Sequence, residues 1–276
     1  MVTDPVDEPF FREWLHGRAC GAKRSKVRAQ VFLEALLGSR YDDLMRTPVP
    51  LVVAVGSKGK GTTAAYSSAA LAAAGLRVGT VTSPGFRSHR ERIRVDGQSI
   101  TPTELAMLAM AIEETRERHG SDLPNDGYLS PTGLFTMAGV LHFIDSACDA
   151  WVFEAGMGGR SDEVSLLSPD VVTVTPIFEE HVGILGRDVR EIAVDKLGVV
   201  TERTSHVVTQ PGQHPVVAEP HSRTTAELFR SIQLPGRFSV HHGRARTWVL
   251  DTNGAVVRLE VYCNRGEPRL VIEPRS

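Results

Sequence analysis

Hydrophobic residues follow two patterns along the chain: short apolar runs, and single apolar residues at helical spacing. Compact runs rich in β-branched residues predict buried strands, and the run at 51–55 is Leu-Val-Val-Ala-Val. Between such runs apolar residues recur at helical intervals, as at Val27, Val31, Leu33 and Leu37. The pattern predicts helices over 8–15, 26–37, 62–74, 102–119, 131–147 and 187–201, and strands over 51–55, 78–83, 150–155, 171–175 and 206–210. Strands that alternate with helices indicate an α/β fold, a mostly parallel sheet covered on both faces.

The pattern changes after residue 235. Three short apolar stretches, at 248–250, 256–262 and 270–272, predict strands, and the sequence Asp-Thr-Asn-Gly at 251–254 resembles a hairpin turn. We therefore expect a three-layer α/β/α domain with N-terminal helices over 1–235. A small β-rich tail over 236–276 would follow, too short for a core of its own.

Composition narrows the class of protein. The 276 residues are 41% hydrophobic and 23% charged, with a net charge of −2, which gives no electrostatic basis for binding nucleic acid or an anionic membrane. Cys20, Cys148 and Cys263 lie far apart, without disulfide-framework or metal-ligand spacing. The first eleven residues do not resemble a signal peptide, and no apolar run approaches the roughly 20 residues that span a bilayer. We expect a cytoplasmic protein.

The main candidate for chemistry is a glycine-rich turn between the strand 51–55 and the following helix. Glycines let backbone N–H groups converge on phosphate oxygens at a helix N-terminus. Lys60 would reach the β- and γ-phosphates of ATP, and the Thr62 hydroxyl would ligate Mg²⁺. The candidate ATP contacts of this P-loop are Gly56, Ser57, Lys58, Gly59, Lys60, Gly61, Thr62 and Thr63. The alternative is an ordinary glycine-rich turn with a solvated lysine, since Ala54 and Gly61 depart from the usual Gly-x₄-Gly-Lys-Ser/Thr pattern.

Glu154 is a second candidate, because it ends a predicted strand at the edge where ligands of parallel sheets bind. With Thr62 and Ser83 it could form a hard oxygen shell for Mg²⁺. The alternative is a solvated glutamate at a strand end.

Several segments in this order resemble the folylpolyglutamate synthases, a branch of the Mur ligase family of ATP-dependent amide ligases. The phosphate loop matches as Gly-x-x-Gly-Lys-Gly-Thr, with Lys58 where the family usually has Asn. The resemblance spans about residues 25 to 240. Its other segments are Thr-Ser-Pro-Gly at 82–85, Arg-Glu-Arg-Ile-Arg-Val at 90–95, Leu-Ser-Pro-Thr at 129–132, Phe-Glu-Ala-Gly-Met-Gly-Gly-Arg-Ser-Asp at 153–162, Glu-His at 180–181, Leu-Gly at 185–186 and Asp-Lys at 195–196.

The resemblance implies a reaction and a set of site residues. ATP would phosphorylate a small-molecule carboxylate, and an amine or amino acid would then attack the acyl phosphate. The implied catalytic residues are Lys60, His181 and Lys196, and the implied metal ligands are Thr62, Ser83, Glu154 and His181. His181 would ligate a second Mg²⁺, and Lys196 matches a lysine that the family carbamylates. The alternatives are a loop histidine and a lysine that snorkels from the surface of an amphipathic helix.

Departures from the family pattern fall on the substrate side. Gly85 replaces a histidine, Glu163-Val-Ser165 replaces Ala-Thr-Asn, and Glu180 replaces an aspartate. The family also has a Rossmann-like C-terminal domain; the stretch 234–238 resembles the hinge into it, but 251–255 lacks its signature. The arginines between 87 and 94 and His89 could bind an anionic substrate or form a solvated basic loop.

These departures leave three hypotheses for the function. The first is an amide ligase for a non-folate acid, completed by a partner subunit or a homodimer mate. The second is a nucleotide-binding accessory protein or ATPase without ligase activity. The third is an interaction module.

Overall fold

The computed structural model describes residues 5–209, 213–214, 245–252, 255–264 and 267–274. Its helices are α1 (Glu8–Ala19), α2 (Lys26–Leu37), α3 (Ser39–Arg46), α4 (Lys60–Ala73), α5 (Pro102–His119), α6 (Pro131–Asp145) and α7 (Val189–Leu197). Its strands are β1 (Leu51–Val55), β2 (Val78–Val81), β3 (Ile93–Val95), β4 (Gln98–Ser99), β5 (Ala150–Glu154), β6 (Val171–Val174), β7 (His206–Thr209), β8 (Ala245–Thr252), β9 (Ala255–Asn264) and β10 (Glu267–Pro274).

Seven of these strands form one sheet in the order β4-β3-β2-β5-β1-β6-β7. The five strands from β2 to β7 in that order are parallel, which confirms the prediction of a mostly parallel α/β sheet. The β3–β4 hairpin adds an antiparallel edge that was not predicted. Both strands are too short to show alternation, although the turn residues Asp96 (φ 49°) and Gly97 (φ 78°) form the Asp-Gly pair typical of tight hairpins.

Helices cover both faces of this sheet, as the three-layer prediction requires. Alternate residues of β1 point to opposite faces because side chains alternate along a strand. Val52 and Ala54 belong to the smaller core, which contains Leu71 of α4. Val53 and Val55 belong to the larger core, whose aromatic residues are Phe10, Phe32, Phe135, Phe143, Trp151 and Phe153. β1 is the middle strand of the five parallel ones, so its carboxyl end lies inside the sheet, between β5 and β6.

Helix boundaries agree with the sequence where a strong cap is present. α5 begins at a capping box, in which Thr101 Oγ1 accepts from the backbone N–H of Glu104 at 3.2 Å. α4 begins at Lys60, two residues earlier than predicted. α7 is shorter than the predicted 187–201, because Asp188 caps its start and the helix ends before Gly198. α3 was not predicted; Leu44 is its only buried residue, so its core-facing stripe is weak.

The strands β8, β9 and β10 form a three-stranded antiparallel sheet, and each is longer than the stretch predicted for it. The expected domain boundary at 235 and the hinge-like segment 234–238 lie outside the described residues, so this division stays a prediction. Among the described helices, none combines the length and apolar character needed to cross a bilayer.

Candidate functional site

The phosphate loop connects the central strand β1 to the N-terminus of α4. Gly56 has φ 135°, and a Cβ there would lie 2.0 Å from Thr175 Oγ1, so only glycine fits against the end of β6. Gly59 is the N-cap of α4 with φ 86°, and no side chain caps this helix. The first turn of α4 therefore presents backbone N–H groups that suit a phosphate, apart from the Gly61 N–H, which is hydrogen-bonded to the Glu154 carboxylate.

The segment that follows β6 holds the phosphate loop from one side. Ser57 donates its backbone N–H to Pro176 O at 2.8 Å. The hydroxyl of the buried Ser57 contacts Phe178 twice, accepting from its N–H at 3.2 Å and donating to its carbonyl at 3.3 Å. The Lys58 ammonium lies 6.0 Å from the centre of the Phe178 ring. These contacts connect the loop firmly to the segment that follows β6.

Lys60 is the first residue of α4 and is partly buried. Its ammonium is 3.4 Å from Ser57 O, a long contact at most. Burial raises the pKa of Glu154, and the positive charge of Lys60 opposes this rise; the same charge adds to the lowering of the pKa of Glu180, so Lys60 lies near both carboxylates. The cation is thus held near the loop without a short pairing that a phosphate would have to break.

Glu154 and Ser83 meet at the carboxyl ends of the neighbouring strands β5 and β2. The backbone N–H of Ser83 donates to Glu154 Oε2 at 2.8 Å. A Cβ on Gly61 would lie 3.0 Å from the same oxygen, so the glycine lets α4 approach the carboxylate closely. Glu154 is 6% exposed, and the interpretation of a solvated strand-end glutamate is wrong. Burial raises the pKa of Glu154, opposed by the Ser83 hydrogen bond and the charge of Lys60.

Lys196 is fully enclosed, with 1% of its surface exposed. Its ammonium donates to Gly56 O at 2.8 Å and to Glu180 Oε1 at 2.7 Å. The interpretation of a surface lysine that snorkels from α7 is therefore wrong. Burial lowers the pKa of Lys196, while the Glu180 carboxylate opposes this shift. For Glu180, burial would raise the pKa, but the hydrogen bond and charge of Lys196 outweigh it and lower the pKa.

His181 occupies the same loop but is exposed, with φ 51°. Its carbonyl accepts from the backbone N–H groups of Ile184 and Leu185 at 2.9 and 3.1 Å. Among the described residues, no hydrogen bond joins its ring to Ser83 or Glu154. His181 is one residue from Glu180, at the rim of the site. Its role as a metal ligand stays a prediction.

The oxygen donors of the site suit magnesium held together with a nucleotide. Within the described residues, no group of three or more His, Cys, Asp and Glu side chains could hold a metal ion. The Glu154 carboxylate accepts a hydrogen bond from the backbone of Ser83. It also lies against Gly61, the residue before Thr62 in α4. Mg²⁺ typically takes one or two carboxylates and completes its shell with phosphate oxygens and water. The residues present therefore fit Mg²⁺ bound through a nucleotide.

A buried cluster beside this site was not identified in the sequence as a functional group. Asp162 and Glu163 are 0% and 1% exposed. Arg24 Nη1 lies 3.3 Å from Asp162 Oδ2 and 3.4 Å from Glu163 Oε2. Burial and the neighbouring Asp162 charge raise the pKa of Glu163 to about 7. Its Oε1 is buried without a hydrogen-bond partner. Arg24, from the turn between α1 and α2, thus forms ion pairs with two buried carboxylates in the glycine-rich segment after β5.

Two cavities lie at the opposite, amino-terminal edge of the sheet. Their volumes are about 630 and 220 Å³, and Leu44, Val49 and Trp151 line both. Neither contains a residue of the phosphate loop. We place the functional site at the carboxyl edge because the glycines, the cations and the buried carboxylates converge there.

Sequence relatives match most of this chain. No protein-family model matches. The chain is 32% identical over 226 residues to the dihydrofolate synthase/folylpolyglutamate synthase of Bacillus subtilis, which covers 80% of this chain and 50% of that protein. It is 32% identical over 196 residues to the protein of the same description from Escherichia coli, covering 71% and 44%. The chain therefore spans about half the length of these curated relatives.

The fold is also that of solved synthase structures. A Mycobacterium tuberculosis folylpolyglutamate synthase complexed with ADP superimposes with a TM-score of 0.67 at 23% identity, covering 92% of this chain and 55% of that one.

Proposed function

Because the chain belongs, over its aligned residues, to the folylpolyglutamate synthase and dihydrofolate synthase family, we propose that it binds ATP and Mg²⁺ and provides this part of a carboxylate–amine ligase. The observation that supports this proposal is that three groups of residues lie together. The phosphate loop, the Ser83–Glu154 pair and the Lys196–Glu180 pair meet at the carboxyl edge of one sheet. A phosphate loop alone would fit many nucleotide-binding proteins, whereas the buried Glu154 beside it adds a metal ligand.

The proposed chemistry is activation of a carboxylate. A carboxylate oxygen of the acid attacks the γ-phosphorus of ATP, ADP leaves, and an acyl phosphate forms. The amine nitrogen then attacks the acyl carbon, phosphate leaves, and the nitrogen loses a proton to give the amide. Mg²⁺, when bound by these residues with ATP, would neutralise phosphate charge.

The roles of individual residues follow from their positions. The N–H groups of the phosphate loop and Lys60 bind and orient the phosphates. Glu154, Ser83 and Thr62 supply oxygen ligands for the metal, with His181 at the rim as a further candidate. Lys196 holds Gly56 and Glu180 in place, so in the unmodified form described here its contribution is to position the loop.

The class of substrate is a small-molecule carboxylate and an amine or amino acid. The names of the relatives make a folate-type acid with L-glutamate the first pair to test. One structure with this fold, a bifunctional folylpolyglutamate synthase/dihydrofolate synthase, contains Mn, AMPPNP and L-glutamate, so an amino acid is the first amine to test. The replacements at Gly85 and Glu163–Ser165 support a non-folate acid as the second choice. The proposal covers a folate-type acid and a non-folate acid, and analysis of the amide product distinguishes them.

Groups beyond the aligned residues are part of the proposal as well. The relatives are about twice as long, so ligation would also use groups of the kind that their other half contributes. The alternative of an accessory ATPase has no specific support, since the curated relatives are named as synthases.

The direct test is a product assay. The protein is incubated with ATP, Mg²⁺, L-glutamate and a folate-type acid, and ADP and amide are measured by chromatography and mass spectrometry. Amide in stoichiometric amounts with ADP supports the ligase, and its loss in Glu154→Ala assigns the activity to this site. ADP without amide for every acid offered would instead support the ATPase.

A further inference from the structure

Arg92 differs from the other arginines of the basic segment because its side chain is buried. It is 8% exposed, at the end of a 3-10 turn (His89–Arg92) that leads into β3. Its guanidinium carbon lies 4.8 Å from the centre of the Phe135 ring. Arg90 and Arg94 instead donate to the β3–β4 region, at Ile100 O and at Gly97 O and Ser99 Oγ. Arg92 is therefore neither part of a solvated basic loop nor open to an incoming anion.

Two hydrogen bonds fix the Arg92 guanidinium. Its Nη1 donates to Ser83 Oγ at 3.0 Å, and its Nε donates to His89 Nδ1 at 3.2 Å. Since arginine is always a donor, His89 Nδ1 must be the acceptor, which places the proton of a neutral His89 on Nε2. That nitrogen lies 3.9 Å from Asp7 Oδ2. The His89 ring is 4.9 Å from Phe11 and 5.6 Å from Phe135, so α1 and α6 both pack against it.

Ser83 is thereby held through both its backbone and its side chain. Its N–H donates to Glu154 Oε2 at 2.8 Å, while its hydroxyl oxygen accepts from Arg92. An accepted hydrogen bond leaves the hydroxyl oxygen one further lone pair for a metal. Loss of the Arg92 bond would free the Ser83 side chain to rotate and would remove one restraint on the loop that carries the Glu154 contact.

We propose that Arg92 is a positioning residue that orients Ser83, and through Ser83 the Glu154 carboxylate, for binding magnesium with the nucleotide. This inference rests on the proposed ATP and Mg²⁺ site. It adds Arg92 and His89 to that site as residues that position the metal ligands without binding the metal. Partners that orient a metal ligand commonly change metal affinity 10- to 100-fold when they are replaced. The N-terminal segment that contains Asp7 then lies next to the residues that position the metal ligands.

The test measures ATP binding by calorimetry across a series of Mg²⁺ concentrations, using the full chain. The variants are Arg92→Met, Arg92→Lys, Ser83→Ala and the double variant Arg92→Met/Ser83→Ala. Arg94→Met is the matched control, since Arg94 comes from the same segment but bonds only within the hairpin. Thermal melting verifies that each variant is folded.

We expect Arg92→Met to raise the Mg²⁺ concentration needed for half-maximal binding about 10-fold. Arg92→Lys should recover part of this loss, and Arg94→Met should match the wild type. In the Ser83→Ala background, Arg92→Met should add little, because its effect passes through Ser83. Wild-type Mg²⁺ dependence in Arg92→Met, or effects of the two substitutions that multiply, would overturn the inference.

A second readout separates this inference from the proposed function. Hydrogen exchange measured by mass spectrometry on the peptide covering 82–86 should be faster in Arg92→Met than in Arg94→Met. Absence of ATP binding in the wild type would contradict the proposed function, while the exchange result would still decide whether Arg92 fixes Ser83. Equal exchange in the two variants would overturn the inference alone.

Discussion

Lys196 and Glu180 form an ion pair next to the phosphate loop, with 2.7 Å between Nζ and Oε1. The same ammonium donates to the carbonyl of Gly56, the first residue of the loop, at 2.8 Å. One buried cation thus connects α7, the segment after β6 and the loop proposed to hold the phosphates.

Replacing this cation should weaken both the fold and the site. Lys196→Met keeps most of the volume but leaves Gly56 O and Glu180 without their donor, a loss of about 1–3 kcal/mol in the free energy of unfolding. ATP affinity should fall as well, because the loop loses a restraint. Urea denaturation and ATP titration measure the two effects, with the exposed Lys23→Met as control. Lys196→Met with unchanged stability would contradict the buried pair.

Glu163 predicts a specific dependence of stability on pH. Its pKa is raised by burial to about 7, whereas the carboxyl of an unfolded chain titrates near its ordinary value of about 4.3. Between these values the folded state holds a proton that the unfolded state has lost, so the stabilising contribution is complete below the unfolded pKa. It decreases as pH rises and is lost above about 7, a change on the order of 3 kcal/mol.

Glu163→Gln is the matched variant, since it keeps the shape of the side chain without its titration. Urea denaturation at several pH values between 4.5 and 8 should show the variant gaining stability relative to the wild type as pH rises. Parallel curves for the two proteins would mean that Glu163 titrates normally.

Gly61 offers a substitution that should separate stability from metal binding. A Cβ at this position would lie 3.0 Å from Glu154 Oε2, so Gly61→Ala must displace the carboxylate slightly. Alanine is favoured over glycine in a helix by up to about 1 kcal/mol. We expect unchanged or higher stability together with weaker Mg²⁺-dependent ATP binding. Melting curves measure the stability of Gly61→Ala and of the wild type, and ATP titrations of the same preparations measure their Mg²⁺ dependence. Unchanged Mg²⁺ dependence would show that Glu154 is not a ligand.

The sequence predicted those parts of the fold that local patterns encode. The β1 run and the capped helix α5 were located at their observed bounds, because β-branched content and a capping box act within a few residues. The β3–β4 hairpin and α3 were missed, since their short elements carry little periodicity. The glycine-rich loop could be located because its residues are contiguous.

Contacts between distant segments could not be read in the same way. The neighbours of Lys196 in α7 did not reveal that its ammonium bonds to Gly56, a residue 140 positions away. Arg92 was indistinguishable from the exposed arginines around it until Phe135 and Ser83 were located in space. The burial of Glu163 likewise depends on Arg24 and on the start of α6, which the sequence places far from it.

Calorimetric titration of ATP with Mg²⁺ into the purified protein tests the central claim most directly. The wild type should bind, Lys60→Ala should lose binding because the phosphates lose their cation, and Glu154→Ala should bind with much weaker Mg²⁺ dependence. The exposed Lys23→Met should behave like the wild type. No binding by the wild type, or wild-type affinity in Lys60→Ala, would contradict the assignment of Gly56–Thr63 as a nucleotide site.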